Sequence, residues 1–209
     1  MSNTLDVINW RYATKKFDTK RMPDETFNIL LESLRLSASS YGLQGWKFVV
    51  VENKELRKQL VPHAWGQEQV VDASHLIVLA RPTRFTKDDV QRFVQHISEV
   101  RNIPLESLEG YKQMMDNVFD KLDQEQIGIW LSKQIYLALG TLLTTAAFEG
   151  IDACPMEGFE PEKFDEILGL TERGLNSVVV CPVGYRHADD AYANLPKVRY
   201  SQEDVTLVL

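Results

Sequence analysis

Apolar positions along this chain follow two periods. Over residues 23–37, Phe27, Leu30, Leu31 and Leu34 recur at the spacing of an amphipathic helix, and Pro23 sits where helices open. Residues 47–51 are rich in valine, follow a glycine-containing loop and read as a strand. The runs HLIVLA (residues 75–80) and SVVVCPV (residues 177–183) are apolar throughout, the pattern of strands covered on both faces. Residues 151–154 form a weaker candidate strand and residues 205–209 a terminal one.

Two helical blocks of different character lie between the strands. Residues 86–121 are charged and only moderately apolar, with a break at Asn102-Ile103-Pro104. Residues 130–149 are apolar on nearly every face, as in a helix buried centrally or at a subunit contact. The pattern predicts helices alternating with a few short strands in a single domain over residues 1–209, with a helical excursion at about residues 84–127. Such an excursion is a natural cover for a binding site.

Composition narrows the partners. Acidic residues outnumber basic ones 30 to 23, and the net charge of −7 argues against nucleic acid. No apolar run approaches the ~20 residues of a membrane span, and the start lacks a signal segment, so no membrane association is expected. Cys154 and Cys181 both lie in apolar stretches, which suits reduced, buried thiols and a cytoplasmic location. No G-x-G-x-x-G, P-loop, C-x-x-C or G-x-S-x-G occurs. His63, His75, His96 and His187 are scattered without metal spacing, so no metal is expected, and His75 reads as structural.

Against that acidic background, Arg11-Tyr12-Ala13-Thr14-Lys15-Lys16-Phe17 is a basic segment near one end, and Lys197 and Arg199 form a basic pair near the other. Brought together, they would make a pocket for an anion such as a phosphate. Arg11 and Lys15 could share a side either across one helical turn or by converging from a bend. Residues 37–46 are dense in serine and glycine, which lets a backbone approach a ligand closely. Cys154-Pro155-Met156-Glu157-Gly158-Phe159 follows a strand and could present main-chain N–H groups to a flat ring. Cations for a phosphate, short polar groups for a ribityl chain and a flat loop for a ring are together what flavin mononucleotide (FMN) requires.

The order R-Y-A-T-K-K-F, S-x-S-S-x-x-x-Q-x-W-x-F, D-A-S-H, P-M-E-G-F and K-x-R resembles the nitroreductase family, nearly end to end. It is most similar to the oxygen-insensitive nitroreductase and dihydropteridine reductase branch. The resemblance implies an α+β fold, a mixed sheet flanked by helices, in an intertwined homodimer with a C-terminal extension and FMN at the subunit interface. Carried over, Arg11, Lys197 and Arg199 would bind the FMN phosphate, with Tyr12 and Ala13 beside it. Ala13 and Tyr12 stand where relatives carry other residues, which leaves Ala13 a main-chain contact. Lys15 would face the flavin N1–C2 region, while Ser39, Ser40 and Gln44, from the other subunit, would line the ribityl chain and ring. Pro155, Met156, Glu157 and Gly158 would lie against the ring, and Gln134 would either reach a flavin edge or pack. Lys15 and Glu157 are the candidate catalytic residues, without a dedicated acid or base. Gly66 replaces an Asn that contacts the ring in relatives, with Gln67 or Gln69 as its possible substitute, and Gly45 replaces a Pro.

The activity so implied is hydride transfer from NADH or NADPH, through the flavin, to nitroaromatic, quinone or related small-molecule acceptors by a ping-pong mechanism. The alternatives are a non-catalytic FMN-binding dimer, or another flavin chemistry on the same fold, such as dehalogenation or flavin destruction.

Overall fold

The structure, a computed structural model, describes residues 4–209. Its centre is a four-stranded sheet of Lys47–Val50 (β1), His75–Pro82 (β2), Asp152–Ala153 (β3) and Leu175–Gly184 (β4), in the order β1-β2-β4-β3. All three ladders are antiparallel. The long one pairs β2 with β4, from His75 opposite Val183 to Pro82 opposite Leu175. Among the described residues, parallel pairing is confined to a bridge between Ala13 and Ala153, so the mixed character of the sheet rests on that bridge.

The unbroken apolar runs of β2 and β4 follow from burial on both faces. Ile77, Leu79, Val179, Cys181 and Val183 pack against one helical layer, in a core shared with Phe27, Leu30, Ile135 and Leu142. That layer consists of α2 (Asp24–Arg35) and α7 (Gln124–Phe148). Leu76, Val78 and Val180 belong to a second core with Leu60, Val70 and Phe164. These come from α3 (Lys54–Leu60), α4 (Gln69–Asp72) and α8 (Pro161–Ile167). Strand side chains alternate between faces, so each run feeds both cores in turn.

The D-A-S-H motif serves this packing. The Ser74 hydroxyl accepts from the Met22 N–H at 2.8 Å and lies 2.9 Å from His75 Nδ1. His75 is buried and stacked on Phe27, with ring centroids 3.8 Å apart. Arg57 is buried to 1% exposure and donates to the carbonyls of Val70, Ala73 and Ser74, closing the end of α4. A cation caps the C-terminal carbonyls of a helix well, because they carry its negative dipole end.

α7 begins at Gln124 rather than at residue 130, because Asp123 and Gln126 form a reciprocal capping box. Contrary to the expectation from the apolar runs, this 25-residue helix is long and apolar enough by composition to cross a membrane. Here it packs on the sheet through Ile135, Ala138, Leu139 and Leu142. Ile129, Tyr136, Leu137 and Phe148 leave its other side exposed.

Between β2 and α7, helix α5 (Lys87–Arg101) stops at Asn102, whose φ of 51° is left-handed, and α6 (Glu109–Phe119) follows. Their apolar faces make a third core of Val90, Val94, Met115 and Phe119 against Leu131 of α7. The terminal strand expected at residues 205–209 is absent. A short helix α9 (Gln202–Val205) is followed by exposed residues without regular structure. A strand needs a neighbour for its N–H and C=O groups, and among the described residues none pairs with this segment.

Candidate functional site

The basic segment follows helix α1 (Thr4–Trp10) and runs beside the sheet, bridged at Ala13 to Ala153 and at Phe17 to Arg186, with a bend at Lys15 and Lys16 between the bridges. Arg11 and Lys15 therefore converge from a segment that bends at Lys15 and Lys16, not across a helical turn. Thr14 and Phe17 turn into the protein. The Thr14 hydroxyl donates to buried Asp152 at 3.3 Å, and Asp152 also accepts from the Arg186 main chain at 2.8 Å and its Nε at 2.9 Å. The Arg186 guanidinium lies 4.2 Å from the Trp10 ring and 4.7 Å from the Tyr12 ring. Its charge is thus absorbed by Asp152 and two aromatic faces.

Arg11, Tyr12, Ala13, Lys15, Lys197 and Arg199 line one cleft of about 400 Å³, so the two ends of the chain do bring their cations together. The Lys197 ammonium donates to the Arg11 carbonyl. Among the described residues, none of Arg11, Lys15, Lys197 and Arg199 is in a salt bridge, although the chain has 30 acidic residues. Partial burial and then the charge of Arg199 push the Arg11 guanidinium below its ordinary range. Burial, then Arg11 and Arg199, likewise depress Lys197. Cations held together against their own repulsion leave a positive potential in the cleft, which an anion complements.

Lys15 leads from this cleft toward the ring-loop candidate, its Nζ 3.8 Å from the Cys154 sulfur. Met156 exchanges main-chain hydrogen bonds with Val180 at 2.8 and 3.1 Å, which fixes the loop on β4. Pro155 is half-buried. The N–H groups of Glu157 and Gly158 donate to no acceptor among the described residues, and so are free for a ligand. The Glu157 carboxylate accepts from the Tyr136 hydroxyl of α7. Burial, then this bond and charge, push Tyr136 up to about 12.

Gln67 Nε2 donates to the Gly158 carbonyl at 3.0 Å, which makes Gln67, not Gln69, the glutamine at the loop. Gln69 is buried at the start of α4. Gly66, with φ +72°, serves the turn: a Cβ there would meet nothing within 4 Å. Sequence reasoning missed Trp65. Its ring covers Gly158 so closely that a Cβ on that glycine would lie 2.9 Å from it, yet Trp65 is 73% exposed. Trp65 is itself left-handed, with φ 55°, a strain concentrated at functional positions. No local sequence signal marks a Trp for that conformation.

Ser39, Ser40 and Gln44 sit elsewhere. Buried Gln134 accepts from the Ser40 N–H at 2.9 Å and donates to the Trp130 carbonyl at 3.3 Å, so its amide holds the loop in place. The Gln44 N–H donates to the Ser39 hydroxyl at 3.1 Å. Gln44 faces α5, in clefts that also contain Phe93 and His96. None of Ser39, Ser40, Gln44 and Gln134 lines the Arg11–Lys15 cleft within one chain.

Fold and cleft together define an α+β protein with a cationic cleft beside its sheet. The chain belongs to the nitroreductase family, whose model matches residues 8–185. It is 40% identical over 213 residues to YfkO of Bacillus subtilis, provisionally named an NAD(P)H nitroreductase, covering 96% of this chain and 95% of that protein. Among solved structures, B. subtilis ydfN superposes with a TM-score of 0.87 at 18% identity, covering 98% of both chains. A nitroreductase-type protein of Exiguobacterium sibiricum, solved in complex with FMN, gives 0.86 at 21% identity, covering 100% of this chain and 98% of that one.

Proposed function

We propose that this chain is an FMN-dependent oxidoreductase that carries hydride from NADH or NADPH to nitroaromatic, quinone or related acceptors, and that it works as a homodimer. The observation that carries the reading is the cleft in which Arg11, Lys15, Lys197 and Arg199 converge without a carboxylate partner. The FMN held by the Exiguobacterium protein and the NAD(P)H nitroreductase name of YfkO support the cofactor and the reductant.

The residues present fit FMN. Arg11, Lys197 and Arg199 would hold its phosphate, with Tyr12 and Ala13 beside them. Lys15, in the same cleft and with its Nζ beside Cys154, would stabilise negative charge on the reduced ring. The unpaired N–H groups of Glu157 and Gly158 are the donors for a ring edge, while Pro155 and Met156 shape the surface beneath. Bound FMN would supply the two-electron chemistry; the chain's part is binding, orientation and charge. Nicotinamide and acceptor would use one open space in turn, which gives ping-pong kinetics.

Ser39, Ser40 and Gln44 would complete this site from a second copy. Two features favour that copy: the exposed apolar side of α7, and the exposed tail of Val198, Tyr200, Leu207 and Val208. The buried free thiols Cys154 and Cys181 suit a reducing cytoplasm.

The test is anaerobic. Purified protein, yellow with FMN, should bleach on addition of NADH or NADPH and regain colour with a quinone or nitrofuran. Yellow protein that never bleaches would make it a flavin-binding module, and protein that takes up no FMN would refute the site.

A further inference from the structure

Asp190 is a buried carboxylate bonded to Tyr12, Lys15 and Tyr192, which line the cationic cleft, and the binding scheme leaves its work unassigned. It is 3% exposed. One oxygen accepts from the Lys15 N–H at 2.8 Å, the Lys16 N–H at 3.1 Å and the Tyr12 hydroxyl at 3.0 Å; the other accepts from the Tyr192 N–H at 3.0 Å. Burial by itself would raise this carboxyl, but its hydrogen bonds outweigh the burial and hold it below the ordinary range. Asp190 is therefore an anion, yet none of its partners is a cationic head group. It grips main chain and a hydroxyl, and leaves the Arg11, Lys197 and Arg199 charges free.

We propose that Asp190 is a positioning residue for the phosphate end of the site: it clasps the Lys15–Lys16 main chain to the turn at Tyr192 and so brings Lys197 and Arg199 against Arg11. This rests on the FMN reading. The clasp joins the two segments that supply the cations, with the Lys197–Arg11 bond as a further tie. A carboxylate is stable beside these cations without pairing with them because N–H and O–H donors solvate it in place of water.

Charge alone and the clasp predict opposite signs for Asp190→Asn. Removing a negative charge near a bound phosphate would tighten FMN; loosening the clasp weakens it. Titration of the full-length apoprotein with FMN and with riboflavin, which lacks the phosphate, separates the cases. The clasp predicts FMN affinity lower by about 10-fold or more, with riboflavin changed by less than about 3-fold. Tyr12→Phe, which removes one donor and keeps the ring, should shift the FMN to riboflavin ratio the same way by about 3-fold, and it serves if Asp190→Asn does not fold. FMN affinity unchanged or tightened, or both flavins weakened together, overturns the proposal. Native protein that binds neither flavin overturns the FMN reading itself, and the proposal with it.

Discussion

Lys197 donates its ammonium to the main-chain carbonyl of Arg11, joining positions 186 residues apart. The bond closes the cleft between a segment near the first helix and one near the last. It also leaves Lys197 beside Arg11 and Arg199 with its own affinity for a proton lowered, by burial first and then by those two charges.

A bound phosphate reverses that repulsion, so Lys197 should take up a proton when FMN binds at alkaline pH. The complex then holds more protons than the free protein, and FMN affinity should fall as pH rises through a window that opens below 10.5, the ordinary lysine value. Lys197→Arg keeps its charge throughout and should flatten that slope. A slope unchanged in Lys197→Arg would place the proton on another group.

Lys15 is expected to act at the redox end. Lys15→Met should slow flavin reduction by NADH or NADPH by about 10-fold or more and lower the flavin potential, because the ammonium favours the anionic reduced ring. FMN affinity should fall with it. Stopped-flow reduction with a parallel potential titration checks this, and unchanged values in both would remove Lys15 from its role.

Trp65 covers Gly158 while staying open to solvent. Trp65→Ala should raise the KM for aromatic acceptors by about 10-fold, the scale of a lost stacking partner, with FMN affinity unaffected. Aliphatic acceptors should change little. Steady-state kinetics over both acceptor types separates these outcomes.

Arg57 holds three carbonyls from a fully buried position. Arg57→Met should cost about 3 kcal/mol in chemical unfolding, since the orphaned carbonyls lose a charged donor. Arg57→Lys should recover only part of it, because an ammonium cannot span the same fork.

What the sequence made legible was the part written in periodicity and in local chemistry. The helix expected at residues 23–37 lies at Asp24–Arg35, and the apolar runs became β2 and β4, because a strand buried on both faces has no polar positions. The break at Asn102 appears as a left-handed stop. Short helices such as α3 and α8 passed unseen, since seven residues carry too little periodicity. The early start of α7 did leave a signal, in Asp123-x-x-Gln126. Residues 205–209 carry a strand-like pattern but find no partner within the chain, and pattern alone does not say where a partner comes from.

At the site, the cations were legible because they stand against an acidic chain. Trp65, Asp190 and Asp152 were not. Each works through a tertiary contact: a ring over Gly158, a carboxylate on distant N–H groups, a carboxylate under Arg186. In sequence they look like a loop aromatic and two ordinary acids.

The account stands on the cleft's being the phosphate site of a bound flavin, and equilibrium titration of FMN onto native protein and Arg11→Ala tests this most directly. The native chain should bind one FMN per subunit, and Arg11→Ala should bind at least about 10-fold more weakly, the loss expected for a charged phosphate donor. Equal affinity in the two proteins would place the phosphate elsewhere and contradict the account.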